Sequence, residues 1–312
     1  MKRGRILLWA ALVALLVALP LLVPTYQTSL ATQMLIFAVL GMSIDILAGY
    51  AGRTPLGHGA IFGTAAYVAI WFTTTHGGSL WAGLLLGVIA AGVVAMIFAV
   101  LAVRTSGVYF LLLTLALGMI VWGVCLRWTA VTGGENGLRG SLRPVWLADQ
   151  TSFYWLVLGV VATITVVLRR ILGSPFGLSL KGIRESDSRM RSLGYNSTLH
   201  LLIAFVISGL VAGMAGGLYA MFNEYVSPST VALGQSVRGL LIAVVGGVGT
   251  MYGGFIGAII IVVLENLVSA YTDRWQTVMG LMFVLIMIFA PEGVTGRARD
   301  LLRKYSISSK GS

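Results

Sequence analysis

Apolar residues run along this chain in blocks of about 20, separated by short polar or glycine-rich breaks. A helix needs about 20 apolar residues to cross the hydrocarbon core of a bilayer. Ten blocks meet that description: 6–24, 30–49, 56–75, 80–103, 107–127, 152–172, 199–222, 233–250, 254–271 and 276–291. They predict one all-α, polytopic membrane domain over 1–312 with about ten transmembrane helices. The block 56–75 is glycine-rich at its start, and 233–250 carries Arg238 near its own start. Either is equally readable as a broken or re-entrant helix, so eight spans with two re-entrant segments fit the same pattern. The first block follows the basic stretch MKRGR. With no small-x-small cleavage site after it, it reads as an uncleaved first transmembrane helix.

Glycine interrupts the pattern twice in a similar way. Gly49, Gly52, Gly57 and Gly63 punctuate 49–63, while Gly246, Gly247, Gly249, Gly253 and Gly257 punctuate 246–257. Within lipid, backbone leaves helical form only where protein or a water-filled cavity satisfies it. Matching interruptions in two halves of a chain point to a midplane pathway in repeat-built transporters. Here they divide the chain into a first half, 1–130, and a second, 150–295, with five spans each, which requires the halves to be inverted. The plainer reading is that glycine only lets helices cross closely. Backbone groups freed around 49–57 could meet a polar or zwitterionic solute, with His58 in a packed or interfacial role beside them. Acids inside spans cost about 2.5–3.5 kcal/mol on insertion scales. Asp45 and Glu265 are two such acids, read as pathway or helix-pairing residues. Glu224 and Arg238 fall near the external boundary, where water would solvate them.

Composition and charge sharpen this reading. Hydrophobic residues make up 58% of the chain and charged residues 10%, against roughly a quarter charged in soluble domains. The net charge of +11 does not imply nucleic acid, because the cations gather at block ends, where headgroups and orientation account for them. With ten crossings and the N-terminus inside, 16 of the 21 Lys and Arg fall in cytoplasmic stretches. The other five are Arg127, Arg139, Arg143, Arg238 and Arg274. That asymmetry orients both termini to the cytoplasm of a bacterial or archaeal inner (plasma) membrane. Cys125, the single cysteine, sits inside an apolar block and reads as a packed thiol.

One long segment breaks the apolar pattern. Residues 174–198 read SPFGLSLKGIRESDSRMRSLGYNST and carry Lys181, Arg184, Arg189 and Arg191 against Glu185 and Asp187. Ser174 suits an N-cap, Pro175 the first helical position, and Gly194 a C-terminal stop. Glu185 with Arg189 and Asp187 with Arg191 are spaced as favourable i,i+4 pairs. Phe176, Leu180 and Ile183 form an apolar stripe, and Met190 and Leu193 a second patch. Such a segment could lie against its own membrane domain or insert into a groove on a soluble motor.

Catalysis finds no support. There is no G-x-x-x-x-G-K-[ST], no G-x-S-x-G, and only three scattered histidines with one cysteine. The chain is therefore expected to be a transport subunit with no ATPase site, metal or cofactor of its own.

Ordered motifs add a resemblance. They are Gly49-Tyr50-Ala51-Gly52 with Leu56-Gly57-His58-Gly59-Ala60, Arg104-Thr105-Ser106-Gly107-Val108-Tyr109-Phe110, and Thr132-Gly133-Gly134-Glu135-Asn136-Gly137-Leu138. Ser174-Pro175-Phe176-Gly177, Ile183-Arg184-Glu185-Ser186-Asp187, Val245-Gly246-Gly247-Val248-Gly249-Thr250 and Pro291-Glu292-Gly293 complete the order. Over roughly 30–295 the chain resembles the inner-membrane permeases of branched-chain amino-acid ABC importers, of the LivM type, whose relatives also serve urea and other small solutes. The resemblance implies a second, similar permease as heterodimer partner and two cytoplasmic ATPases that bind ATP and magnesium. It also implies a periplasmic or extracellular solute-binding protein. It casts Phe176, Leu180, Ile183, Arg184, Glu185, Asp187, Leu193 and Gly194 as the segment docked on an ATPase. Asp45, Gly49, Gly52, Gly57, His58, Gly246, Gly247 and Gly249 then border the translocation pathway. A secondary carrier using Asp45 or Glu265 as ion sites is the rival; uptake driven by an ion gradient without ATP distinguishes it.

Overall fold

The computed structural model describes residues 14–140 and 143–272, with Arg274, 277–278, 280–281 and 284–285. Most of the predicted helix 276–291, the start of 6–24 and the Lys/Arg clusters at both termini lie outside the described residues. Residues 14–22 are helical. After Pro24 come α1 (Thr25–Asp45), extended by a π turn over Ile46–Tyr50, then α2 (His58–His76), α3 (Leu80–Ala102) and α4 (Gly107–Arg127). The second half holds α5 (Gln150–Leu172), the short α6 (Pro175–Glu185) and α7 (Asp187–Ser192), α8 (Ser197–Asn223), α9 (Leu233–Gly246) and α10 (Gly253–Ser269). Among the described residues, five helices are long and apolar enough to cross a membrane: Thr25–Tyr50, α3, α4, α5 and α8. The architecture is that of an all-α, polytopic membrane protein.

Two predicted blocks change length. The block at 30–49 runs from Thr25 to Tyr50. The block at 233–250 ends at Gly246, because Gly247 adopts φ +110° and turns the chain. At 14 residues α9 is too short to span alone, and a single turn at Pro228–Val231 leads into it.

The predicted single helix over the basic segment divides at Ser186, whose backbone is extended. The i,i+4 spacing of Glu185 and Arg189 therefore straddles a break, whereas Asp187 and Arg191 lie on one helix and form an ion pair of 3.1 Å. Burial alone would raise the Asp187 carboxyl; hydrogen bonding and the Arg191 and Arg53 charges outweigh it and hold the group below its usual range. Ser174 occupies the N-cap position of α6, but its hydroxyl donates back to the Ile171 carbonyl at 2.7 Å. Gly194 closes α7 with φ +88°: its N–H bonds the Arg191 carbonyl and that of Tyr195 bonds the Met190 carbonyl, a Schellman stop.

Small residues set the helix crossings. On α8, Gly209 and Gly213 lie on Ala95 and Ala91 of α3, and Gly216 lies on the Phe62 carbonyl of α2. On α10, Gly254 meets Ala38 and Met42 of α1, and Gly257 meets the Ile242 carbonyl of α9. The packing has a swapped regularity. Helix α8 rests on α2 and α3 as α1 rests on α9 and α10, and α2–α3 and α9–α10 are both close hairpins. In the second hairpin, Glu265 of α10 pairs with Arg238 of α9, their side chains 17% and 14% exposed. The Arg238 guanidinium also lies 3.7 Å above the Phe37 ring of α1. The expectation that Arg238 is solvated at a boundary is thus overturned: its long stem carries the charge inward to an acid and an aromatic face.

Strands β1 (Leu138–Arg139) and β2 (Tyr225–Val226) pair antiparallel and tie the two halves at the end opposite α6. Beside them, Arg143 donates to the Met221 and Phe222 carbonyls at 2.8 Å, closing the end of α8.

Two stability outcomes follow. Gly216→Val forces a side chain into the Phe62 carbonyl, and overpacking typically costs about 1–3 kcal/mol. It should lower the thermal midpoint of the detergent-solubilised protein, while Gly159→Val, which faces open space, should not. Glu265→Gln leaves Arg238 charged and unpaired; breaking a buried pair costs about 3–5 kcal/mol, whereas replacing both partners by apolar groups is often neutral. A thermal melt should show Glu265→Gln well below wild type and the double variant Arg238→Met/Glu265→Leu recovering most of the loss.

Candidate coupling and translocation site

The basic segment lies on its own membrane domain through the stripe that resembled a docking surface. Leu180 and Ile183 are buried, and half-buried Phe176 stacks on His200 of α8 at 5.8 Å. Gly177 packs on the Leu172 carbonyl at the end of α5, where any side chain would collide. Phe176, Leu180 and Ile183 thus attach α6 to the bundle, because the apolar stripe finds apolar helix ends within its own chain. The outward face carries other groups: Leu178 is 72% exposed and Leu193 68%, with Glu185, Arg189 and Arg191 around them. Asp187 is half-exposed and Gly194 exposed.

Two cations of α6 point back at the π turn. Lys181 places its ammonium 5.1 Å from the centre of the Tyr50 ring. The Arg184 guanidinium donates a short hydrogen bond to the Gly49 carbonyl, and its side-chain methylenes cover Gly52, where a Cβ would come within 2.6 Å. Gly52 has φ +68°, so its lack of a side chain serves both conformation and contact.

At the same point the second glycine-rich stretch arrives. The Gly249 N–H donates to Asp45 Oδ1 at 2.6 Å, and Gly49 lies against the Asp45 carboxyl and the Gly249 backbone. Asp45 is 4% exposed, and its Oδ2 accepts no hydrogen bond. Gly247 and Gly249 both have positive φ, at +110° and +82°. Asp45, Gly49, Gly52, Gly247, Gly249 and Arg184 therefore form one junction. Gly246 stands slightly apart, packed on the Gly253 carbonyl inside the α9–α10 hairpin.

This junction brings the start of 49–63 against 246–257, at Gly49 and Gly249. Glycine density marked chain reversals and close approaches alike, and spacing alone does not separate them.

Deeper in the bundle, the break after the π turn is stitched by side chains from elsewhere. The Leu56 N–H bonds Thr114 Oγ1 of α4 at 3.0 Å, and Gly57 fits between the Thr114 carbonyl and the Phe98 ring. The Gly59 N–H bonds Ser236 Oγ in the first turn of α9 at 2.8 Å. Thr114 lies about 10 Å along α4 from its start at Gly107. Gly239 of α9 packs on Leu40, about 15 Å from the Tyr50 end of its helix. Helices α2 and α9 thus both begin inside the bundle, N-terminus to N-terminus. Beside their meeting point Leu56, Leu115, Gly118, Met119, Val231, Leu233 and Ser236 line a closed seam with no room for a water molecule.

His58 is not among the residues that line that seam. It is fully buried, with Nε2 at 2.6 Å from Ser208 Oγ, and Ser208 donates its single proton to the Ser43 carbonyl at 2.5 Å. His58 Nε2 must therefore carry the proton it gives to Ser208, and the chain of bonds ties α2, α8 and α1 together. Thr114, Ser208 and Ser236 were not singled out from sequence. Each acts on a residue at least 58 positions away, and an isolated hydroxyl in an apolar block carries no local signal of that.

Comparison with known proteins agrees with this architecture. A family model described as the branched-chain amino acid transport system / permease component matches residues 26–290. The high-affinity branched-chain amino acid transport system permease protein LivM of Salmonella typhimurium is 28% identical, over 96% of this chain and 77% of its own; LivM of Escherichia coli K12 gives the same figures. A probable branched-chain amino acid transport permease protein LivH of Methanocaldococcus jannaschii is 23% identical, over 85% of this chain and 89% of its own. No solved structure matches the chain. Since the family model covers most of its length, the chain belongs to the permease component family of branched-chain amino acid transport systems.

Proposed function

We propose that this chain is a membrane-spanning permease subunit of an ATP-driven importer, carrying branched-chain amino acids or a related small polar solute inward. It pairs with a second, similar permease, takes its drive from two cytoplasmic ATPases that hold ATP and magnesium, and receives solute from a binding protein outside. The observation that carries the reading is the α6–α7 elbow. It is fastened by its inner face to the ends of α5 and α8 and to the π turn, and leaves Leu178, Leu193 and a ring of charge outward. Arg53, Arg104, Arg169, Arg170, Arg189 and Arg191 gather at the same end, which supports a cytoplasmic position for it and an external one for β1–β2.

Features of the interior support a solute path between the two halves. Discontinuous helices whose N-termini meet at depth offer partial positive charge to a carboxylate. The closed seam beside them is lined mostly by apolar side chains, which would have to part to admit a branched aliphatic group. The swapped packing supports a five-plus-five inverted repeat, in which α2–α3 and α9–α10 exchange environments as the path opens to either side. Glu265 is committed to Arg238, which weighs against its use as an ion site by a self-sufficient carrier.

Gentle solubilisation of native membranes and purification through a tag on this chain should bring down two P-loop ATPases and a second permease. A chain that purifies alone, and transports in proteoliposomes without ATP, overturns the proposal. The double variant Leu178→Glu/Leu193→Glu should still insert, but lose the ATPases from the purified complex and cut ATP-dependent leucine uptake by tenfold or more. Full retention of the ATPases would remove the outer face from the docking surface.

A further inference from the structure

Arg184 is among the residues cast as docked on an ATPase, and it is exposed, yet its guanidinium reaches the junction at Gly49. Its bond to the Gly49 carbonyl takes one of the last acceptors of α1, at a π turn where the helical register is already wide. A Cβ built on Gly249 would meet the Arg184 terminal nitrogen at 3.5 Å, so the turn passes close to the guanidinium. The bond from Gly249 to Asp45 ties the turn that joins α9 to α10 to the end of α1, so one cation on α6 borders both segments. Asp45 adds an unfilled position. One carboxyl oxygen is used, the other is buried without a partner, and Arg184 is a positive charge acting on it. A buried carboxylate oxygen with no donor is costly unless some state of the protein supplies one.

We infer that Arg184 is the positioning residue that transmits movement of α6 to both glycine segments, with the Gly49 carbonyl and Asp45 Oδ2 as its two alternative acceptors. In the arrangement seen here it holds Gly49. A shift of α6 that carries the guanidinium to Asp45 frees the Gly49 carbonyl. The end of α1 is then released as the 247–252 turn is gripped. The smallness of Gly52 is what admits the arginine side chain, and that of Gly49 is what admits the bond between Asp45 and Gly249. The inference rests on the transport reading above for its purpose, but not for its contacts.

The test has two parts. Hydrogen exchange followed by mass spectrometry on the purified chain reads the contacts. Arg184→Met should raise exchange at least threefold in peptides covering both 46–57 and 245–253, and Asp45→Asn should do so in the second. Unchanged exchange in both segments for Arg184→Met overturns the inference, whatever the transport result. In proteoliposomes holding the complete complex with its binding protein, labelled leucine moved per ATP hydrolysed should fall tenfold or more in Arg184→Met. Arg184→Lys should recover part of that ratio, and Arg184→Met/Asp45→Asn should be no worse than Arg184→Met. Loss of the ATPases from the Arg184→Met complex makes Arg184 a docking residue and sinks the inference while the importer reading stands. A wild-type complex with no ATP-dependent uptake sinks the importer reading, and the exchange result still decides the contacts.

Discussion

A backbone N–H or C=O with no partner in hydrocarbon costs several kcal/mol, so every place where this chain leaves the helix inside the bundle depends on a group sent from elsewhere. Four such gifts hold the breaks. Thr114 takes the N–H of Leu56, Ser236 that of Gly59, Asp45 that of Gly249, and Arg184 satisfies the carbonyl of Gly49. None of the four donors or acceptors belongs to the segment it completes. The breaks are therefore the points where distant parts of the chain are fastened to one another, and a movement at one is felt at another.

Close helix crossings supply the rest of the order. Gly216 on the Phe62 carbonyl and Gly257 on the Ile242 carbonyl bring backbone against backbone, which aliphatic side chains would prevent. Each hairpin, α2–α3 and α9–α10, is tight within itself and meets a long helix of the other half. Packed this way, a hairpin has few intermediate positions available, since ridges of small residues fit their grooves or do not.

Much of this was legible in the sequence, and the limits have physical causes. Span length and cation placement report the bilayer, a solvent that acts on every residue alike, so the long helices α3, α4, α5 and α8 fell within a few residues of their predicted bounds. The broken start of α2 was legible for the same reason, as glycine and proline cannot continue a span unaided. What sequence did not yield is pairing. The stripe of Phe176, Leu180 and Ile183 announces an apolar partner without saying that the partner is this same chain. Glu265 reads as a costly acid within a span and Arg238 as a solvated boundary charge, and only the α9–α10 hairpin, joining positions 27 apart along the chain, makes them one neutral unit. Nor do the similar glycine runs at 49–63 and 246–257 reveal that Gly49 and Gly249 come together at one junction.

The neutral unit has an electrical meaning. A single charge carried across the whole membrane potential exchanges about 2.3 kcal/mol per 100 mV. Because α9 and α10 hold one positive and one negative group side by side, the hairpin can be displaced through the field with almost no net charge moved. Its equilibrium between positions is then insulated from membrane voltage, and is left to be set by whatever grips its ends.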